Sequence, residues 1–146
     1  MKIRLILIIS TFFFVGCFCN KYNNQVNGLT KGQLPDSHST SNGFRIFWND
    51  VKTDSRDFNK MNQYFPSSNL ISKYALKKTD SKYNFSGFIQ LKEDFDYNAF
   101  QKLGGTLVNY SADFQSFSIP INNITSFVEL KGIGRIEMNI KIRQIK

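Results

Sequence analysis

The sequence predicts an α+β domain in the second half of the chain, and two patterns carry that expectation. Residues 84–91 and 135–142 alternate apolar and polar side chains with period two, as half-buried strands do. Between them, apolar residues recur at roughly three-residue steps in two stretches, each closed by a glycine, as short helices do.

Taken in order, Phe85, Gly87, Ile89 and Leu91 alternate with Asn84, Ser86, Phe88 and Gln90, giving a first strand. Asp94 or Asp96 can cap a helix that carries Tyr97, Phe100 and Leu103, and Gly104-Gly105 ends it because glycine accepts the left-handed cap conformation. Thr106–Tyr110 and Gln115–Ile119 read as two strands joined by a turn around Ala112-Asp113. Pro120 opens a second helix, with Asn122 or Asn123 as cap and Ile124, Phe127 and Val128 inward, closed by Lys131-Gly132. Ile136, Met138, Ile140 and Ile142 then alternate with Arg135, Glu137, Asn139 and Lys141 in a last strand. The order β-α-β-β-α-β is the ferredoxin-like pattern, two helices on one face of a four-stranded antiparallel sheet. The other face then meets water or a partner, and it would carry Ser86, Phe88, Gln90, Arg135, Glu137 and Asn139.

The start of the chain reads differently. Lys2 and Arg4 precede an apolar run, Leu5 to Val15, that ends in Gly16-Cys17. A cationic opening, an apolar run of about ten residues and a small residue at the cut form a secretory signal, too short to span a bilayer comfortably. Gly16-Cys17 resembles the lipobox of bacterial lipoproteins, which implies a diacylglycerol on Cys17 and a place in the cell envelope, on the inner or outer membrane. Phe14 stands where that motif usually has leucine. An ordinary cleaved signal and a retained anchor are the alternatives. Cys17 and Cys19 are the only cysteines, so no disulfide framework and no cysteine metal site is available to the mature domain.

The expected organisation is a signal peptide over 1–16, a disordered tether over 17–43, an extension without a clear role over 44–80, and the α+β domain over 81–146. The tether assignment rests on the Asn, Ser, Gly, Thr and Gln content of residues 20–43. Within 44–80, Phe44, Ile46 and Trp48 alternate with Arg45 and Phe47, which suggests a short strand. Residues 54–64 form a weak helix candidate stopped by Pro66, and Ser68 can cap a helix bearing Leu70, Ile71, Tyr74 and Ala75.

Composition narrows the function classes. The chain has 19 basic and 11 acidic residues, a net charge of +8, and removal of Lys2 and Arg4 with the signal lowers it to +6. The lysines are scattered and export separates the chain from cytoplasmic nucleic acid, so no nucleic-acid partner is expected. His38 is the only histidine and falls in the expected tether, which removes a Ser-His-Asp arrangement and a histidine-rich metal site. No catalytic residues, metal or cofactor are therefore expected.

Several ferredoxin-like families lack their chemistry here. A metal carrier needs paired cysteines before the first helix, an RNA-recognition domain needs more aromatics than Phe88, and acylphosphatase needs an arginine where Lys92-Glu93-Asp94 stands. One family fits better. Phe85-Ser86-Gly87-Phe88-Ile89-Gln90-Leu91, Phe100 with Leu103-Gly104-Gly105, Phe117-Ser118-Ile119-Pro120, and Leu130-Lys131-Gly132-Ile133-Gly134-Arg135-Ile136-Glu137 together resemble the propeptide of exported bacterial subtilisin-like proteases, over residues 83–146.

The resemblance implies that the open sheet face docks on two surface helices of such a protease. Phe88 and Glu137 would lie in that contact, Glu137 beside the positive helix ends, and Asn139 replaces a second acid often found there. Ile142, Arg143, Gln144, Ile145 and Lys146 would run through the substrate cleft like a bound product. No catalytic domain accompanies this stretch in the 146 residues, so the expectations are a stand-alone inhibitor or folding helper, a remnant of a truncated protease gene, or a generic lipoprotein binding module.

Overall fold

The computed structural model describes residues 32–138. The expected lipidation site Cys17, and Asn139 and Ile142 to Lys146, lie outside the described residues.

The elements are β1 (Ser39–Thr40), α1 (Asn42–Ser55), a 3-10 turn (Phe58–Gln63), α2 (Ser68–Tyr74), β2 (Lys77–Thr79), β3 (Lys82–Leu91), α3 (Tyr97–Lys102), β4 (Thr106–Asn109), β5 (Gln115–Pro120), a second 3-10 turn (Ile121–Asn123), α4 (Ile124–Val128) and β6 (Ile133–Glu137). The sheet runs β1-β6-β3-β5-β4, with β2 pairing on β3 beside it. It is a mixed α+β fold. The sheet has six strands rather than the four expected, and β1 lies parallel to β6, so it is not purely antiparallel.

The second half follows the sequence pattern closely. Asp96 caps α3, its Oδ1 accepting from Ala99 N at 2.9 Å, and Phe100 is buried. Tyr97 departs from the expected inward stripe and is 51% exposed. Gly104 follows α3 at φ +75°. Ser111 closes the β4–β5 turn, accepting from Phe114 N at 3.1 Å. Ile124, Phe127 and Val128 face inward as expected. Gly132 sits at φ +81°, where an added Cβ would fall 2.3 Å from Phe95 Cα and N, so only glycine lets the α4–β6 turn lie on the β3–α3 connection.

Asn123 stands at the N-cap position of α4, as one of the two expected candidates, but neither its side chain nor that of Asn122 makes a capping hydrogen bond. Asn122 Nδ2 donates instead to Met61 O at 2.8 Å and Tyr64 O at 2.6 Å, and Asn123 Nδ2 to Leu103 O at 2.8 Å. These amides tie separate segments together: Asn122 adds to the Tyr64 N–H bond already made to Met61 O, and Asn123 donates to the carbonyl at the end of α3.

The first half differs most from expectation. Phe44–Trp48 is not a strand but the start of α1. Phe44, Phe47, Trp48 and Val51 recur at helical spacing and are buried, while Ile46, which alternation would have turned inward, is 48% exposed. Ser41 caps the helix, its Oγ accepting from Phe44 N. The same residue anchors the sheet edge: its N–H donates to Ile136 O at 2.9 Å and its Oγ accepts from Met138 N at 3.3 Å.

The segment 54–64 is a 3-10 turn over Phe58–Gln63 rather than a helix, with Asp57 accepting from Asn59 N. α2 forms as expected, but Ser67 caps it, and Ala75 adopts the left-handed cap conformation at φ 48° instead of facing inward.

The expected tether boundary at Gly43 moves toward the N-terminus. Trp48 Nε1 donates to Gly32 O at 3.2 Å, His38 is 8% exposed, and Ser39–Thr40 pairs with Arg135–Ile136. Residues 32–43 thus belong to the packed unit despite their polar composition.

One core joins both halves. Phe85 meets Phe44, Phe47, Phe117 and Phe127, with ring centroids 5.0–6.5 Å apart. All of these rings sit on the side of the sheet to which Phe85, Ile89, Phe117, Ile119 and Ile136 point. α1 and the segments packed on it therefore share the layer of α3 and α4, while β2 lies in the sheet. Among the described residues no helix is long and apolar enough to cross a membrane.

Candidate functional site: the open sheet face

The alternation that buries Phe85, Ile89 and Ile136 sends Ser86, Phe88, Gln90, Arg135 and Glu137 to the other face. Register aligns them. Phe88 lies opposite Glu137 on β6 and opposite Ser116 on β5, and Ser116 lies opposite Val108 on β4. One row therefore runs Glu137–Phe88–Ser116–Val108 across four strands. Beside it, Gln90 faces Arg135 on one side, and Ser86, Ser118 and Thr106 form a polar row on the other.

Ser86, Gln90 and Arg135 are exposed, and Phe88 and Glu137 are half-buried. Tyr110 lies against Phe88, with ring centroids 4.5 Å apart. Tyr110 and Val108 are themselves 69% and 66% exposed, which makes the centre of this face apolar and open. Sequence reading identified Phe88 and Glu137 but missed Val108 and Tyr110. Their parity in Thr106–Tyr110 was the available signal.

Glu137 is held. Its Oε1 lies 2.7 Å from Arg135 Nε, two residues back on the same face. Both side chains are substantially solvated, so the pair is worth at most about 1 kcal/mol and can exchange with a partner. At Gly87 the chain comes close: a Cβ there would lie 2.3 Å from the carbonyl oxygen of Glu137. Gly87 thereby lets the end of β6 press against β3 and fixes where Glu137 leaves the sheet.

The groups with displaced protonation lie elsewhere, in the helical layer. His38 is pushed down by burial, with Lys92 adding to the effect; Ser37 Oγ lies 3.3 Å from its Nδ1, and its Nε2 has no partner among the described residues. Burial raises Asp50, but hydrogen bonds from Lys73 and Tyr74 and the Lys73 charge outweigh it and hold the carboxyl below its usual range. Asp54 behaves likewise: burial is outweighed by Ser67 and Tyr64, with Arg56 contributing. Tyr64 and Tyr74 are pushed up by burial and by the carboxylates they donate to. These pairs pin α2 and the first 3-10 turn onto α1.

Among the described residues no three His, Cys, Asp or Glu side chains are placed to hold a metal ion. The open face offers flat apolar and polar contact, suited to recognition of another surface. No family model, characterised protein or solved structure matches the chain.

Proposed function

We propose that the chain is an exported lipoprotein, held on a cell-envelope membrane through Cys17, whose domain binds and restrains a subtilisin-like serine protease without catalysis of its own. The β6-β3-β5-β4 order supports a reading as a ferredoxin-like core of the protease-propeptide kind, to which β1 adds beside β6 and β2 pairs along β3. The observation that carries the reading is the row Glu137–Phe88–Ser116–Val108, which among the described residues lies on the sheet face opposite the helices.

In this mechanism the apolar centre, Phe88 with Tyr110 and Val108, lies on two surface helices of the protease. Glu137 exchanges Arg135 for backbone N–H groups at the helix ends, a contact worth about 0.3–1 kcal/mol. Ile142 to Lys146 occupy the substrate cleft as a product would.

The test is steady-state inhibition of a subtilisin-type protease by residues 17–146, together with direct binding. Deleting Ile142 to Lys146 should abolish inhibition and leave most of the binding. A chain that neither slows nor binds such proteases ends this reading. The second reading is a lipoprotein binding module for a different protein, and the engagement of Glu137 by Arg135 favours it, since that carboxylate is already satisfied in the free chain.

A further inference from the structure

The β2–β3 hairpin carries Lys77, Lys78 and Lys82 against one acid, Asp80, and all four are exposed. Lys60, Lys73, Lys131 and Arg135 each pair with a carboxylate, whereas none of the three hairpin lysines has one within reach among the described residues. Beside them stands Phe65, 64% exposed, its ring held edge-on against Tyr83 with centroids 5.2 Å apart. Lys78 Nζ lies 6.0 Å from the opposite partner in this stack, the Tyr83 ring. By register Lys78 shares the Tyr83 face with Phe65, while Lys77 and Lys82 lie on the other face of the ribbon. An edge with ammonium groups on both faces and one projecting aromatic suits the boundary between lipid headgroups and acyl chains, where the ring enters the apolar layer and the lysine stems extend toward phosphates.

We infer that this hairpin and Phe65 seat the domain on an anionic phospholipid surface. A bilayer, rather than another polyanion, follows from the lipid anchor proposed above and from the side on which Gly32 packs into the fold. Gly32 lines a hollow together with Asn62 and Asn122, and the same two asparagines line the adjoining hollow beside Phe65, Lys82 and Tyr83. The segment leading back to Cys17 thus joins the fold on the side that bears the hairpin. Residues 18–31 reach about 50 Å at full extension, so an acylated Cys17 holds the hairpin close to the surface from which it extends. A single weak patch then suffices, because the anchor makes its contact intramolecular.

The experiment uses residues 17–146 with Cys17→Ser, so that the patch is measured without its lipid, sedimented with vesicles of phosphatidylcholine alone or mixed with phosphatidylglycerol. Binding is expected only to the mixed vesicles and should fall as salt is added. Replacing Lys77, Lys78 and Lys82 by Glu should lower partitioning by at least about a hundredfold, at about fivefold for each lysine charge removed. Phe65→Ser should weaken binding while leaving its salt dependence unchanged. Thermal melts of each variant separate lost binding from lost folding.

Equal binding to both vesicle types, wild-type binding by the folded triple-lysine variant, or a stronger preference for heparin or DNA than for the mixed vesicles would each overturn the inference. The anchor itself is read separately, from the mass of the full chain processed in a bacterial host. Its acylation can fail while the vesicle result stands, and the reverse.

Discussion

Phe47 of α1 lies against Phe85 of β3 with ring centroids 5.0 Å apart, and both rings are fully buried. A residue from the part of the chain that sequence reading set aside as an extension thus fills the centre of the sheet's core. Phe47→Ala should lower unfolding free energy by about 3–5 kcal/mol, the range for emptying an aromatic core site. Residues 81–146 alone should remain unfolded, since removing 32–80 strips Phe44, Phe47 and Trp48 from Phe85 and its neighbours. Denaturant melts and the near-ultraviolet circular dichroism of the fragment check both.

His38 predicts a pH dependence above the range of the carboxylates. Its folded-state value lies below the ordinary 6.5, so the folded chain keeps it neutral while the unfolded chain takes up a proton. The resulting stability is fully present above about pH 7.5, falls as pH drops through 6.5, and levels off below the lowered folded value. Urea midpoints measured across that window should decline for the wild type. In a His38→Gln variant the decline should disappear, and an unchanged slope would remove His38 as its source.

Asp54 ties three segments at once, accepting from Tyr64 Oη at 2.6 Å and from Ser67 N at 3.0 Å while standing on α1. Its carboxyl is held below the ordinary 3.8, so its contribution is present above that value and is lost as pH falls through the lowered folded value. Asp54→Asn should cost about 1 kcal/mol, discounted for solvent exposure, and should loosen α2 first. Hydrogen exchange at Leu70 and Ile71 is the direct readout. Protection lost uniformly across the sheet would mean that this tie is not local.

The parts legible in the sequence share one property: their pattern is set by what the segment itself buries. Phe85 and Ile89 alternate because β3 has a wet face, and Gly104 and Gly132 occupy left-handed positions that few other residues tolerate. The parts that were missed depend on partners distant in sequence. Phe44 to Trp48 satisfies both a strand and a helix pattern over five residues, and only Val51, one turn further on, decides for the helix. Nothing in the composition of residues 32–43 foretells that Trp48 will donate to Gly32 or that Ser41 will receive the end of β6. The open face was half legible. Phe88 and Glu137 stood out by parity and resemblance; parity also put Val108 and Tyr110 on one face, but that this face is the one shared with Phe88 is set by the pairing of β4 with β5.

The Arg135–Glu137 pair separates the two readings of that face. In the free chain the ion pair is solvated, so Arg135→Ala should change stability by less than about 0.5 kcal/mol. If Glu137 docks against helix N-termini of a protease, releasing it from Arg135 removes a competitor, and affinity should rise by about two- to fivefold, the equivalent of 0.3–1 kcal/mol. Glu137→Gln should lower affinity by a similar factor, and Arg135→Ala should then add nothing further in that background. If the face instead meets a partner that recognises the pair as a unit, both single variants should weaken binding alike. Titration of the two single variants and the double variant against one protease therefore distinguishes a carboxylate that must be free from one that must stay paired.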